Sequence, residues 1–239
     1  MPEFYTNGRP VPAANGWTWI VDGWTLFTRA PGLWVGITAL YIVISFAVGP
    51  VPLIGMLTSP VLNVVFTAGL MLGCRALDEG GPLKIDHLFA GFQQRLGTLL
   101  AVGFLYLGAL LVVTLVAGFA VGFKVYGIVS AGPVEADAIL ELVLLGALFV
   151  LIWLALVLPV VMAAWFAPAL VVFRHVGALE AMKASFVGCL RNFVPFLIYG
   201  IVLLVPSVLA TIPFALGWLV LGPLVVASIY TAYKDIYTS

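Results

Sequence analysis

LPVVMAAWFAPALVVFRHVGALEAMKASFVGCLRNFVPF, Leu158–Phe196, decides the fold. Its first part is uncharged up to Arg174, and its last part turns apolar again at Phe193. Between them Leu179, Met182, Phe186, Cys189 and Leu190 recur at three- and four-residue steps, with Glu180, Lys183 and Arg191 on the opposite side. That period is the stripe of an amphipathic helix. A helix of this kind lies in the headgroup plane with its apolar face down. The stretch therefore reads as a descending membrane span, a helix on the membrane surface, and the start of an ascending span.

The whole chain agrees. It has 239 residues, of which 64% are hydrophobic and 8% charged, with a mean hydropathy of +1.21, whereas soluble domains are about a quarter charged. The runs Leu96–Phe123 and Phe193–Tyr233 contain no charge, and each exceeds the roughly 20 residues that cross the hydrocarbon. This is the composition of a polytopic membrane protein. Ten basic and ten acidic residues cancel, which gives no reason to expect a nucleic-acid partner. The opening MPEFYTNGRPVPAANG lacks the basic-then-apolar order of a cleavable signal, so it is expected to stay in the mature chain.

Six spans are expected: Leu33–Gly49, Met56–Cys74, Gly97 to about Phe123, about Ala138 to Phe173, Phe193–Ile212 and Gly217–Ala232. With that count both termini share a side with the loops around Arg75–Arg95 and Arg174–Arg191. All the basic residues except Lys124 fall there. Lys and Arg translocate poorly, so that side is expected to be cytoplasmic.

Two further segments repeat the surface-helix pattern. Trp17, Ile20, Val21, Trp24 and Phe27 oppose Thr18, Asp22, Thr25 and Arg29; Ile85, Leu88, Phe89, Phe92 and Leu96 oppose Lys84, Gln93, Gln94 and Arg95. Pro60 precedes Arg75 by fifteen positions and Pro159 precedes Arg174 by the same fifteen, each with an aromatic six residues after the Pro, Phe66 and Trp165. The last span opens similarly with Pro223 and reaches Lys234. The expected fold is accordingly an all-α membrane domain over residues 1–239, of three units, about 15–76, 82–174 and 177–235. Each unit is an amphipathic interfacial helix followed by a helical hairpin, and a pseudo-threefold axis lies along the membrane normal. The middle unit is longer than the others by about 33 residues, or roughly 24 Å added to each of its helices, on the non-cytoplasmic side. Its apolar flanks and the acidic tip Glu135, Asp137 and Glu141 call for cover by tilt with a kink at Pro159, by an oligomer, or by a membrane-protein partner.

Chemistry-bearing residues are sparse. His87, His175, Cys74 and Cys189 lack metal-ligand spacing, so no metal or other cofactor is expected. Asp86 is expected to cap a helix beginning at His87. The spans carry no midplane carboxylate, His or Lys, which speaks against ion-coupled transport. Asn63, Thr67 and Ser228 are the intramembrane polar candidates, for interhelical packing or binding. Gly118 and Gly122 form a GxxxG pair, which with Trp153 marks an oligomer or partner surface. Phosphate-loop, zinc-protease and nucleophile-elbow motifs are absent from the sequence, so no enzymatic activity is expected.

The phrases LFAGFQQR, WFAPALVVF, EAMKASFVGCLRNFVPFLIYG and SIYTAYKDIY resemble a family of proteobacterial six-helix inner-membrane proteins of unknown function, designated by locus. The plan of interfacial helix plus hairpin is similar, more distantly, to the membrane domain of some glycerophosphodiester phosphodiesterases. The resemblance implies a bacterial inner membrane and supplies no catalytic residues. The first functional expectation is a non-catalytic scaffold, assembly or lipid-organising module, with membrane lipids as partners at Arg29, Arg75, Arg95, Arg174, Lys183 and Arg191. Each such cation is worth about 1 kcal/mol near an anionic surface. The same residues serve equally to set topology alone. The second expectation is a passive channel or carrier for a small neutral or lipid-like solute.

Overall fold

The computed structural model of the protein describes residues 4–48, 54–131 and 136–238. Its elements are α1 Asn15–Thr28, α2 Pro31–Val48, α3 Ile54–Asp78, a 3₁₀ turn Ile85–Phe89, α4 Ala90–Gln93, α5 Leu96–Ser130, α6 Ala136–Trp165, α7 Ala167–Arg174, α8 Ala178–Arg191, α9 Phe193–Thr211 and α10 Trp218–Tyr237. Among the described residues there is no strand, only one antiparallel bridge between Phe4 and Thr238. Among the described residues five helical stretches are long and apolar enough to cross a membrane: Leu57–Asp78, Leu96–Ser130, Ala138–Arg174, Phe193–Thr211 and Trp218–Tyr237. A sixth arises if α1 and α2, bent by 98° against each other, are taken as one span. Of the sequence expectations, Gly49, Glu135 and the side chain of Asp137 lie outside the described residues.

The bend between α1 and α2 has a local cause. Pro31 opens α2, where its missing N–H costs nothing, but it cannot continue the ladder of α1. The last turn of α1 tightens instead, with Arg29 N–H donating to Leu26 O and Ala30 N–H to Phe27 O.

The break between α6 and α7 has a different cause. The helix runs on through Pro159, and the interruption falls at Phe166, not at Pro159 as expected. There the hydroxyl of Ser185, fully buried, donates to Met162 O at 2.7 Å and accepts from Phe166 N–H at 2.9 Å. Those two groups are the i and i−4 partners of one helical rung, so a side chain from α8 has replaced that rung. Insertion into the ladder is a recognised origin of kinks, and Pro168, which lacks a donor, follows at once.

The middle surface segment is not one helix. Its 3₁₀ turn and the single turn of α4 end at Arg95, whose φ of 55° breaks the chain before α5. Nor does Asp86 cap it. The 3₁₀ turn begins earlier than expected, and the Nδ1 of His87 accepts the N–H of Lys84 at 3.0 Å.

By its contacts the chain forms two compact units, residues 1–104 with 162–239, and residues 105–161. In the first unit α10 touches α1, α2, α3 and α9, and α3 touches α7. Trp19, Trp34, Val65, Met71, Phe166 and Tyr237 are among its buried side chains. The expected aromatics find partners here: Phe66 packs against Tyr41, Phe89 and Phe92, and Trp165 against Phe196 and Tyr199.

Small residues allow several close approaches in this unit, three of which follow. A Cβ on Gly23 of α1 would come within 2.7 Å of Ser228 N on α10. One on Gly91 of α4 would strike the carbonyl of Val65 on α3. The third is Ser185 at the α6–α7 junction.

The second unit contains most of α5 and α6. Its buried apolar side chains among the described residues are Ala117, Val121 and Leu145. Lys124 Nζ lies 3.2 Å from Glu141 Oε1, and Trp153 Nε1 donates to Thr114 Oγ1 at 3.2 Å. Elsewhere apolar surface is open, with Phe119 and Phe123 more than 80% exposed. α5 alone has 35 residues, about 52 Å of helix, well beyond the roughly 30 Å hydrocarbon thickness.

Candidate functional site

The polar stripe of α1 forms one wall of a cleft of about 570 Å³. Thr18, Asp22, Thr25 and Arg29 lie on that wall, and Asp78, Thr231, Lys234, Asp235 and Thr238 come from the ends of α3 and α10, with Arg9 and Asn15 completing the lining. The volume lies within the usual range for ligand pockets.

Three carboxylates and three cations share the cleft. Asp235 is fully engaged: Oδ1 lies 3.3 Å from Arg9 Nη2, and Oδ2 accepts from Asn15 Nδ2 at 2.7 Å and from Trp19 Nε1 at 2.9 Å. Arg9 Nε also donates to the Asp235 carbonyl. Asp78 Oδ2 accepts from Tyr230 OH at 3.0 Å and from Lys234 Nζ at 2.6 Å. Arg29 Nη1 donates to Leu77 O at 2.6 Å. Asp22 is exposed and has no partner among the described residues. It is the one carboxylate of the cleft with neither oxygen engaged among the described residues.

The other basic candidates do not gather into one anion site. Arg75 pairs with Glu79 at 2.7 Å and faces the Phe173 ring. Arg95 Nη2 donates to His175 O at 2.7 Å, and Arg191 Nη1 to Gly8 O at 2.9 Å. Arg174 stacks on Phe4, 4.0 Å from its ring centroid. Lys183 is exposed on α8. Three arginines, at 29, 95 and 191, thus end on backbone carbonyls near the feet of helices.

The intramembrane polar residues behave differently from one another. Ser228 is buried and lies 2.7 Å from Tyr199 OH, which ties α10 to α9. Asn63 is exposed and accepts from Thr67 Oγ1 within its own helix at 3.1 Å. In the second unit Gly118 and Gly122 have no atom of another residue near a built Cβ. With Thr114, Leu115, Phe119 and Phe123 they line an apolar groove.

Cys74 and Cys189 are buried free thiols. Burial pushes Cys189 up to about 12, so it stays protonated at neutral pH, 3.6 Å from Met162 O. The residues that sequence reasoning passed over are Asp78, Asp235, Ser185 and Asn192. Asn192 is buried, accepts from Val11 N–H, and donates to the carbonyls of Arg9 and Gly188. The available signal was position, since Asp78 and Asp235 stand just past the anchor bases Arg75 and Lys234.

A probable inner membrane protein of Burkholderia thailandensis is 30% identical to this chain over 204 residues, which cover 80% of this chain and 73% of that protein. No family model matches the chain. No solved structure matches it either. The chain belongs to the family of that inner membrane protein.

Proposed function

We propose that this member of an inner-membrane protein family is a non-catalytic scaffold that organises lipids at the cytoplasmic leaflet of the bacterial inner membrane. The observation that carries the reading is α1. It turns through 98° into α2, exposes Trp17, Val21 and Trp24 on one flank, and lines a polar cleft with the next. A helix so divided suits a place at the headgroup boundary, with its apolar flank toward the acyl chains.

The plan of three units, each with two spans and both termini cytoplasmic, rests on a recurrence of contacts. Gly23 meets Ser228, five residues after Pro223; Gly91 meets Val65, five after Pro60; Ser185 meets Met162 and Phe166, three and seven after Pro159. Each surface segment thereby sits on the descending helix of the unit before it, with the first unit closing on the last. Arg29 and Arg95 then reach carbonyls at the foot of their own unit's descending helix, Leu77 and His175. Arg191 reaches Gly8, whose neighbours Tyr5 and Arg9 bond to the end of α10. These arginines serve the scaffold by latching its parts.

The passive-channel reading has less support. From Met162 onward the contact between α3, α7 and α10 is filled by buried Val65, Met71, Leu170, Val171, Ala227 and Tyr230. In the second unit the groove at Gly118 and Gly122 suits a helix from a second copy or another membrane protein.

Native mass spectrometry of the mild-detergent-purified protein tests the proposal, together with neutral-solute flux in proteoliposomes. Retained phospholipid and background flux are expected. Saturable flux with no retained lipid would overturn it.

A further inference from the structure

The geometry points to the α1 cleft as a site for a phospholipid whose headgroup carries both a phosphate and a primary amine. The proposal rests on the lipid-organising reading above and gives that reading a specific ligand.

Charge selects the class. Asp22, Asp78 and Asp235 share one cleft with Arg9, Arg29 and Lys234, so a purely anionic headgroup meets three carboxylates on entering. A purely cationic one meets the three bases. A dipolar headgroup avoids both costs if its ends are correctly placed.

The free groups place those ends. Asp22 is the carboxylate without a partner among the described residues, and a primary ammonium supplies the N–H donors it lacks. Arg29 uses Nη1 on Leu77 O, which leaves the rest of a guanidinium fork for a phosphate. Lys234 bonds Asp78 and adds a second positive charge beside the cleft. Asp22 and Arg29 lie two turns apart on one face, roughly 10 Å along the axis. An ethanolamine phosphate with a hydrogen bond at each end bridges about that length. The hydroxyl of Thr25 stands between the two on the same wall, and that of Thr18 lies one turn before Asp22.

The surroundings select a lipid over a soluble zwitterion. Trp17, Val21 and Trp24 are exposed on the flank of α1 adjoining Thr18, Asp22 and Thr25. This flank offers acyl chains an apolar surface beside the headgroup, with indole rings at the depth they favour.

The test is native mass spectrometry of the full chain released from vesicles of equal parts phosphatidylethanolamine, phosphatidylglycerol and phosphatidylcholine. The expected result is retention of the ethanolamine lipid over the glycerol lipid by about tenfold, the value of one charge-assisted contact. Phosphatidylcholine, whose quaternary nitrogen has no N–H, falls well below the ethanolamine lipid. Asp22→Asn, a change at an exposed residue without a partner, should bring the ethanolamine and glycerol lipids to parity while leaving the melting temperature unchanged. Equal retention by the unaltered chain, or an unchanged preference in Asp22→Asn, overturns the headgroup assignment and leaves the scaffold standing. Displacement by soluble glycerophosphoethanolamine at concentrations comparable to the lipid overturns the choice of a lipid. Failure to retain any phospholipid overturns the lipid-organising reading as well.

Discussion

The Ser185 hydroxyl occupies the place of a main-chain hydrogen bond, donating to Met162 O while it accepts from Phe166 N–H. One side chain thus satisfies both ends of an opened rung and fixes where α8 sits against the α6–α7 junction. Ser185→Ala removes both partners at a fully buried position. Each unsatisfied buried group costs about 1–3 kcal/mol. Thermal unfolding in detergent should register a loss of that order, with a change in near-ultraviolet circular dichroism from the adjacent Trp165. An unchanged melting temperature would mean that the rung re-forms and that Ser185 is dispensable.

Gly91 and Gly97 form an internally controlled pair. A Cβ at Gly91 meets the Val65 carbonyl, whereas one at Gly97 meets nothing within 4 Å. Gly91→Ala should therefore destabilise by about 2 kcal/mol or more through overpacking. Gly97→Ala should be neutral or stabilising by up to about 1 kcal/mol, the ordinary helix preference for Ala over Gly. Denaturation of the two variants side by side checks the contrast.

Asp235 holds Arg9, Asn15 and Trp19 together. Asp235→Ala leaves the buried indole N–H of Trp19 and the amide of Asn15 without their acceptor, at a cost of about 2–3 kcal/mol. Because both partners belong to the start of the chain, limited proteolysis should cut ahead of α1 in the variant sooner than in the unaltered protein. Identical cleavage kinetics would show that the clasp survives without the carboxylate.

His87 gives the fold a sensitivity to acid. Desolvation lowers its pKa below the usual 6.5, outweighing the raising effect of the Asp86 carboxylate, and the Lys84 charge lowers it further. The neutral imidazole accepts the Lys84 N–H, and protonation at Nδ1 abolishes that bond. A depressed folded-state value means that this contribution is complete above the ordinary pKa and is lost as pH falls through the lowered one. The melting temperature should hold near neutral pH and decline below about pH 6.5. His87→Gln should flatten part of that decline, and a variant with an unaltered pH profile would assign the effect elsewhere.

Much of the architecture is written in the hydropathy. The expected spans differ from the helices by a few residues at most ends, since the bilayer demands a long uncharged run and little else produces one. The change from α1 to α2 near Arg29 was legible too, because the amphipathic period ends there and an uncharged run begins at Leu33. The break at Phe166 was not, since Pro159 and Pro168 look alike as letters and the deciding hydroxyl comes from nineteen residues on. The middle surface segment has the apolar period of a helix, but Arg95 adopts a left-handed conformation that no local pattern signals. Asp78 and Asp235 escaped notice as site residues because, in sequence, a carboxylate beside an anchor base reads as ordinary helix-end charge. Their role depends on α1, which is brought to them from the far end of the chain.

That last relationship governs the order of assembly. Trp19 is buried against Phe196, Tyr199 and the Asp235 carboxylate, and Thr231 Oγ1 donates to its carbonyl. The ribosome makes α1 well before α9 and α10, the two helices on which it mainly docks. Until they are made, Trp19 and Gly23 of α1 lack the Phe196, Tyr199, Ser228 and Asp235 partners that cover them. The docking of α1 therefore comes late in the making of the chain, and any factor that shelters a half-made chain would find its natural handle on α1.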